Sequence, residues 1–427
     1  MSLAFHIIFA MIGIAMPVLM VIAEARWLRS KDPIYLELAK RWAKGTAILF
    51  AVGAVSGTVL SFELGLLWPR FMEFAGPVIG MPFSLEGFAF FTEAIFLGIY
   101  LYGWKRISGR AHLMAGILVA VSGTLSGVFV VIANGWMNTP TGIEMLGSTV
   151  VSVDPIAAMA NPAAFSESLH MTLAAFAATG LGVAGIHALL LLKQPDNAFH
   201  HRALKVALLA GVPAAILLPL SGDINARFIA RHQPAKLAAA EALFVTQAGA
   251  PFMIGGIPDT DSRTVRYGIE IPKLLSLLAF HDPDAVVTGL DRIPRDEWPP
   301  VLIVHVAFQV MIALGSVMAL VSLIVAWLAL RKRDLTRRRW LLKMLVFVAP
   351  MGFVATEAGW IVTEVGRQPW IIRGIMRTSD AVTPMPGLVV PFVTFTVLYI
   401  LLTVAVVWVL HRQIVRSPRL TEAPDNA

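Results

Sequence analysis

Several side chains that could bind a metal ion or carry protons lie inside long apolar segments of this 427-residue sequence. An ionisable group in an apolar, lipid-like environment is costly and is therefore a candidate for function by default. The candidates are the histidines His6, His170, His187 and His305, the glutamates Glu63, Glu86, Glu93 and Glu357, and the thioether of Met311. The sequence contains no cysteine, which excludes disulfides, iron–sulfur clusters, thiolate zinc sites and cysteine nucleophiles.

Histidine together with methionine is a ligand set that suits haem iron. An imidazole on one side and a thioether on the other are typical of a low-spin haem, and a single histidine or carboxylate leaves a position open for oxygen. Zinc would prefer three or four converging ligands, often with histidines at i and i+4, and no histidine pair has that spacing. Most of the 18 methionines are expected to be packing residues, and His187 and His305 are interpreted as core histidines. Residue types alone leave a haem protein, a transporter and a proton channel open.

Glu86 and Glu93 are seven residues apart, which places them on one face of a helix, about 10.5 Å apart along its axis. Ser126 and Asn134 belong to the next apolar segment. A ladder of this kind is typical of a proton path through an apolar core. Serine and asparagine also join helices by hydrogen bonds, and for Ser126 alone that alternative is preferred.

The composition indicates which elements must position these groups. Apolar residues make up 57% of the chain, charged residues only 14%, and the mean hydropathy is +0.74. A soluble domain has roughly a quarter of its residues charged, so the sequence predicts an all-α integral membrane protein. A membrane-spanning helix needs about 20 apolar residues, and nine stretches qualify: 3–23, 46–67, 84–104, 112–133, 168–192, 204–221, 301–329, 341–363 and 388–410.

Lysine and arginine are concentrated in alternate loops. They are abundant in the loops after spans one, three, five and seven and in the tail, and absent from residues 134–167. Basic loops lie on the cytoplasmic side, so the N-terminus and residues 222–300 are expected outside and the C-terminus inside. This asymmetry also explains the net charge of +7 and the pI of about 9.8, and nucleic acid is therefore rejected as a partner.

The predicted organisation has four parts. Residues 1–221 carry spans one to six, residues 222–300 form an outer loop, residues 301–411 carry spans seven to nine, and residues 412–427 form a disordered cytoplasmic tail. A helix rises about 1.5 Å per residue, and this rise places five candidate ligands, from five helices, in the outer half of the membrane. They are His6, Glu86, His170, Met311 and Glu357.

Four segments resemble subunit I of cytochrome bd-type quinol oxidases. They are Ser-Leu-Glu-Gly-Phe-Ala-Phe-Phe-Thr-Glu (84–93), Ala-Asn-Gly-Trp-Met (133–137), Lys-Leu-Ala-Ala-Ala-Glu-Ala (236–242) and Glu-Ala-Gly-Trp-Ile-Val-Thr-Glu-Val-Gly-Arg-Gln-Pro-Trp (357–370). Their order and the Gly-Arg-Gln-Pro-Trp block are highly specific, and the resemblance covers nearly the whole chain. It implies nine helices arranged as two four-helix bundles with one peripheral helix. The segment Ile-Met-Arg-Thr-Ser-Asp-Ala (375–381) favours the cyanide-insensitive branch.

The resemblance implies a role for individual residues. His170 and Met311 match the axial ligands of a low-spin haem b, and His6 and Glu357 match ligands of two high-spin haems, with Glu86 between those haems as a ligand or proton donor. The other implied roles are a proton path through Glu86, Glu93, Ser126 and Asn134, quinol oxidation by Lys236 and Glu241, and cofactor contacts from Gln309, Trp360 and Arg367.

Two departures from the family pattern bear on these roles. Gln309 stands where an arginine is expected two residues before the methionine ligand, which puts the redox tuning of that haem in question. The outer loop, called the Q-loop in the family, is of the short type. No residue distinguishes haem d from haem b at the oxygen site, so two haems b with one haem d, or three haems b, are both open.

The function expected from the resemblance is oxidation of ubiquinol or menaquinol at the outer face and reduction of O2 to water, which separates charge without a pump. The expected partners are a similarly folded subunit II, a small single-span subunit and lipid, in a bacterial cytoplasmic membrane. A haem-b membrane anchor would need paired histidines and few buried acids. A proton-coupled transporter would carry an internal repeat and broken helices at the midplane.

Overall fold

The computed structural model describes residues 1–147 and 149–412, and these residues are mostly helical. The helices in chain order are α1 (Ser2–Ser30), α2 (Pro33–Leu67), α3 (Pro69–Tyr102), α4 (Gly109–Asn138), α5 (Pro155–Met159), α6 (Ala164–Lys193), α7 (Ala198–His232), α8 (Pro234–Ala240), α9 (Leu274–Phe280), α10 (Val301–Leu330), α11 (Arg339–Val348), α12 (Met351–Val365), α13 (Thr378–Ala381) and α14 (Val389–Leu410). The predicted tail, apart from residue 412, lies outside the described residues, and so do Arg416 and Arg419.

Short antiparallel strand pairs lie in the loops. The pairs are β1 (Ile143–Leu146) with β2 (Thr149–Val153), β3 (Gln247–Ala248) with β8 (Val286–Val287), β4 (Phe252–Ile254) with β7 (Ile269–Ile271), β5 (Ile257–Asp259) with β6 (Thr264–Arg266), and β9 (Trp370–Ile372) with β10 (Met376–Arg377). Single 3₁₀ turns follow at Leu290–Arg292 and Arg295–Glu297. Three of the five pairs lie wholly within residues 247–287. They belong to residues 233–300, which pack on helix ends and are called the lid.

The predicted number of membrane spans is confirmed: nine helical spans in the described part of the chain are long and apolar enough to cross a membrane. Eight are single helices. The eighth span in chain order consists of α11 and α12, because the helix is interrupted at 349–350, where Pro350 has no N–H to donate.

The helices extend well beyond the predicted spans. Hydropathy identifies only the part of a helix that contacts lipid, whereas the helix continues through polar residues that favour helix. Thus α2 begins at Pro33 rather than near residue 46, behind an Asp32 side chain that accepts the N–H of Ile34. Helix α7 runs to His232 through two internal prolines, so the first eleven residues of the predicted loop 222–300 are helical.

The membrane helices form two groups of four with one helix outside them, as the resemblance implies. Helices α1 to α4 pack together, and the second group consists of α6, α7, α10 and the α11–α12 span. Helix α14 packs mainly against α2. Small residues bring the helices close: a Cβ on Gly180 of α6 would lie 2.5 Å from the Cα of Gly211 of α7, a close approach typical of helices in membranes.

The two ends of the helical bundle differ in their connections. The basic end holds the short connections 31–32, 103–108, 194–197 and 331–338, and an ion pair of 2.6 Å between Arg202 and Asp32 joins two of its helix ends. The loop end holds residues 233–300, which pack on the ends of α7, α10 and α12. His6, His170, Met311 and Glu357 lie in the half of their helix nearer the loop end, and Glu86 lies at the middle of α3.

Candidate functional site

His6 and His170 belong to different helix groups but are held in the same way. His6 on α1 places Nδ1 2.9 Å from the Ser56 hydroxyl of α2, and His170 on α6 places Nδ1 3.0 Å from the Ser221 hydroxyl of α7. Each serine hydroxyl in turn donates to a backbone carbonyl of its own helix. With the hydroxyl proton on that carbonyl, each serine accepts a hydrogen bond from the Nδ1–H of its histidine.

This arrangement fixes the tautomer of both imidazoles. With the proton on Nδ1, the lone pair of Nε2 is available, and Nε2 of neither histidine has a hydrogen-bond partner among the described residues. Metal-binding histidines usually use their second nitrogen in this way, because the outer hydrogen bond orients the ring. His6 and His170 therefore fit iron coordination through Nε2.

A glycine follows each of these serines and leaves space beside the ring. A Cβ on Gly57 would lie 3.0 Å from Cε1 of His6, and one on Gly222 would lie 3.4 Å from Cε1 of His170. The two serine–glycine pairs thus combine a hydrogen-bond acceptor with a close helix approach.

The other two predicted iron ligands lie on α10 and α12, two helices that pack together. A Cβ on Gly359 would lie 3.1 Å from the sulfur of Met311, so this glycine makes room for the thioether. Glu357, two residues earlier on α12, has a buried Oε1 with no hydrogen-bond partner in the described part of the protein. A buried carboxylate oxygen without a partner is costly, and a metal ion would resolve that cost. Trp360 packs against an apolar cluster built from α1 and α6, which includes Ile7.

The predicted proton path is partly assembled. Ser126 donates a hydrogen bond of 3.1 Å to Oε1 of Glu86. Glu93 is buried against α4, where a Cβ on Gly123 would lie 3.1 Å from its carboxyl group. Asn134 instead hydrogen-bonds Glu364 of α12, so it belongs to a different polar group at the loop end.

A chain of polar side chains connects Asn134 to the predicted quinol residues. Arg367 donates to Glu364 at 2.6 Å, Glu364 accepts from Asn134, and Asn138 donates to Asn134 at 3.2 Å. Lys236 completes the chain by donating to Asn138 at 2.9 Å. This chain joins α4, α8 and α12.

A small cavity of about 80 Å³ opens beside this chain. Its lining includes Gln233, Lys236, Glu297, Arg367 and Arg373. Nε and Nη1 of Arg367 are buried and have no hydrogen-bond partner in residues 1–147 and 149–412. Three basic groups around a cavity, with unsatisfied guanidinium N–H groups, fit the oxygen atoms of a quinol or of haem propionates.

Lys236 and Glu241 are both buried in the lid but face different elements. Glu241 accepts the backbone N–H of Met253 at 3.4 Å, whereas Lys236 faces α4. Burial raises the pKa of Glu241 to about 8. Burial lowers the pKa of Lys236 to about 7, against the opposing effect of Glu167. On a helix the two residues project about 140° apart, and the described contacts include none between them.

One face of α10 fastens the lid. His305 is fully buried, with Nδ1 2.8 Å from the carbonyl of Ala240 and Nε2 2.9 Å from that of Gly255. Gln309, one turn further along, accepts the N–H of Gly255 and donates to the carbonyl of Met253. Both ends of the Gln309 amide thus bond to the lid backbone, and its predicted cofactor contact stays a prediction.

The interpretation of His187 and His305 as core histidines is confirmed. His187 is buried, and its Nδ1 lies 3.1 Å from Nδ1 of His200. Sequence reasoning missed Glu167 and Glu364, which both interact electrostatically with Lys236. Glu167 could have been found from its Glu-x-x-His spacing to His170, and Glu364 from its position seven residues after Glu357.

The chain matches a known protein family along almost all of its length. Residues 1–418 match the family described as cytochrome bd terminal oxidase subunit I. The chain belongs to the cytochrome bd oxidase subunit I family. The predicted family, the nine-helix membrane fold and the oxidoreductase class are thereby confirmed.

Individual members of the cytochrome bd subunit I family are similar throughout. A putative cytochrome bd menaquinol oxidase subunit I of Bacillus subtilis is 39% identical over 414 residues, which cover 96% of this chain and 93% of the relative. The cytochrome bd-II ubiquinol oxidase subunit 1 of Escherichia coli is 28% identical, over 88% of this chain and 87% of the relative. The solved bd oxidase of Geobacillus thermodenitrificans superposes with a TM-score of 0.92 at 41% identity and covers 98% of this chain and 96% of its own.

Proposed function

We propose that this chain is the haem-bearing, quinol-oxidising subunit of a membrane oxidase that reduces O2 to water. The observation that carries the proposal is the pair of half-buried histidines whose Nδ1 atoms are held by serines and whose Nε2 atoms are left for iron. The unpartnered oxygen of Glu357 supports it. A haem-b anchor would require paired histidine ligands, and a transporter would need neither feature.

His170 and Met311 would hold a low-spin haem b, and His6 and Glu357 would each hold a high-spin haem, with Glu86 between those two. Bound there, the haems supply one-electron transfer and the reduction of oxygen. The serine hydroxyls orient the imidazoles, and the buried arginine Arg367 offers N–H groups to anionic or carbonyl oxygens. The haem at the oxygen site is b or d.

The lid would bind ubiquinol or menaquinol close to the cavity beside Lys236. Glu241 takes a proton from the quinol hydroxyl, and charged Lys236 balances the anion that forms. Because both groups are buried, their charges are weakly screened by water. The protons leave at the loop end, which the positive-inside asymmetry of the loops assigns to the outside.

Protons consumed at the oxygen site would arrive from the basic end through Glu93 and then Glu86, whose carboxylate is held by Ser126. Release on one side and uptake from the other separates charge without a pump, and each elementary charge is worth about 2.3 kcal/mol per 100 mV. A subunit II and a small single-span subunit would cover membrane-facing helices such as α2 and α3, which expose many large apolar side chains.

The purified, assembled oxidase tests this function by its colour. A reduced-minus-oxidised spectrum should contain one low-spin and two high-spin haems, and a far-red band would report haem d. Two bis-histidine haems would support the membrane anchor instead, and a colourless preparation would support the transporter. Oxygen uptake with and without cyanide, on the same sample, tests the predicted cyanide insensitivity.

The pH dependence of quinol oxidation tests the roles of Glu241 and Lys236. The base must be ionised and the lysine charged at the same time. With pKa values of about 8 for Glu241 and about 7 for Lys236, the rate should rise up to about pH 7, stay level to about pH 8 and fall above it. Glu241→Gln should lower kcat/KM at least tenfold and remove the rising limb. Glu270→Gln, at an exposed glutamate of the lid, is the matched control. An unchanged pH profile in Glu241→Gln would contradict the assignment.

A further inference from the structure

A buried polar cluster at the basic end is not used by the function proposed so far. It consists of Glu24 on α1, Tyr100 on α3 and His112 on α4, which are 0%, 0% and 2% exposed. Nδ1 of His112 lies 2.8 Å from Oε1 of Glu24, and Nε2 lies 2.8 Å from the carbonyl oxygen of Tyr100. Three helices thus bring three titratable groups together inside the protein.

The hydrogen bonds determine how many protons this cluster holds. A carbonyl oxygen can only accept, so Nε2 of His112 carries a proton. The Nδ1 contact with Glu24 then requires one further proton, located either on the carboxyl group or on the imidazole. Glu24 and His112 therefore share one proton as a pair with no net charge, which is an arrangement suited to passing a proton on.

Two atoms of the cluster lack a hydrogen bond of good geometry. Oε2 of Glu24 and the hydroxyl of Tyr100 are both buried, and neither has such a partner within the described residues. The Tyr100 hydroxyl nevertheless lies close enough to the Glu24 carboxyl group to interact with it. The two side chains are therefore placed to exchange a proton.

The cluster continues the line of carboxylates on α3. Glu86, Glu93 and Tyr100 follow at intervals of seven residues and so lie on one helix face. On α4, Gly116 lies against the Tyr100 ring and Gly123 against the Glu93 carboxyl group, about 10.5 Å apart along the helix. Helical side chains lean toward the N-terminus of their helix, and Glu93 lies on that side of Tyr100.

Aromatic rings separate the cluster from the surface of the basic end. The Trp104 ring lies 3.9 Å from the His112 ring, and Lys40 lies over the outer side of Trp104 at 5.5 Å. Trp104, which contacts the His112 ring, directly precedes Lys105 and Arg106 in the chain.

We propose that Glu24, His112 and Tyr100 form the inner part of the proton path that supplies Glu93. The Glu24–His112 pair takes a proton from the basic end and gives one to the Tyr100 hydroxyl. Tyr100 releases its own proton toward Glu93 across a gap that one or two water molecules would bridge. One proton enters and one leaves, and no group changes its net charge over the cycle. The inference rests on the proposed role of Glu93.

The test uses the assembled oxidase in vesicles, with a light-triggered proton donor on the basic side. The infrared signal of the Glu93 carboxyl group reports its protonation without turnover. Glu24→Gln and Tyr100→Phe should slow that signal and steady-state oxygen reduction at least tenfold. The low-spin haem spectrum and the unfolding temperature should stay unchanged. Tyr102→Phe, at an exposed tyrosine two residues further along α3, is the control and should behave like the wild type.

The outcomes separate this inference from the function it rests on. Tyr100→Phe keeps the ring and removes only the hydroxyl, which interacts with Glu24, so it tests proton transfer with the packing unchanged. A wild-type rate of Glu93 protonation in both variants would overturn the inference. If Glu93→Gln itself left oxygen reduction unchanged, the proposed path would fail at Glu93. If Glu93→Gln blocked oxygen reduction while the two cluster variants did not, only the inner part would fail.

Discussion

The two histidine sites have the same local construction in different surroundings. At each, a serine accepts the Nδ1–H and the following glycine approaches the ring. His170 lies in the four-helix group that also contains Met311, whereas His6 lies near the edge of the other group. There α14 covers it, and Tyr399 stacks on Phe5 at 4.3 Å.

This difference suggests how one chain could hold two kinds of haem. The serine–glycine pair fixes the proximal nitrogen in both places, so it cannot distinguish them. The distinction must come from the other ligands: Met311 is the proposed second ligand of the haem at His170, whereas no methionine is assigned to the haem at His6. On the proposed assignment, the serine–glycine pair secures the imidazole ring at both sites. The surrounding residues determine whether a coordination position on the iron stays open.

The largest expected effect comes from removing each histidine. His170→Ala should abolish the low-spin haem spectrum and lower oxygen reduction more than 100-fold, because electrons enter there. His6→Ala should lose one high-spin haem and a similar amount of activity but keep the low-spin spectrum. His232→Ala, at an exposed histidine, is the control. Loss of the same haem in both variants would show that His6 and His170 do not hold different haems.

The family, the nine spans and the positions of the candidate ligands followed from the sequence. Apolar length predicts spans well, because lipid demands it. The serine–glycine pairs did not follow, since Ser56 and Ser221 are distant in sequence from the histidines they hold. The same holds for the contact of Asn134 with Glu364, because depth in the membrane does not tell which neighbouring helix a side chain faces.

The ends of the helices and the contacts of the lid also could not be predicted from the sequence. Polar residues at 33–45 and 222–232 continue the helices beyond the apolar cores, so hydropathy ends α2 and α7 too early. The fastening of the lid by His305 and Gln309 depends on backbone carbonyls and N–H groups, which every residue of a loop offers equally. Only the folded chain selects which of them meet α10.

Replacing the serines should have an intermediate effect and tests whether each serine secures its own histidine ring. Ser221→Ala and Ser56→Ala remove the acceptor for Nδ1–H, and loss of such outer hydrogen bonds lowers metal-site affinity about 10–100-fold. Ser221→Ala should release the low-spin haem faster to a haem-scavenging protein, and Ser56→Ala a high-spin haem. Ser61→Ala removes a hydroxyl that bonds only its own helix and should match the wild type. Haem release unaffected by either substitution would show that the serines do not secure the rings.

The smallest effect should come from the glycines, and here the two sites should differ. A Cβ at Gly57 would lie 3.0 Å from the His6 ring and must displace it, whereas one at Gly222 would make an ordinary contact of 3.4 Å with His170. Gly57→Ala should change high-spin haem absorbance and lower activity a few-fold, while Gly222→Ala should stay within about twofold. Gly65→Ala, with no atom within 4 Å of its Cβ, controls for the gain in helix propensity. Because alanine adds the same methyl group each time, a larger effect at Gly222 than at Gly57 would mean that the two rings are not held as the structure places them.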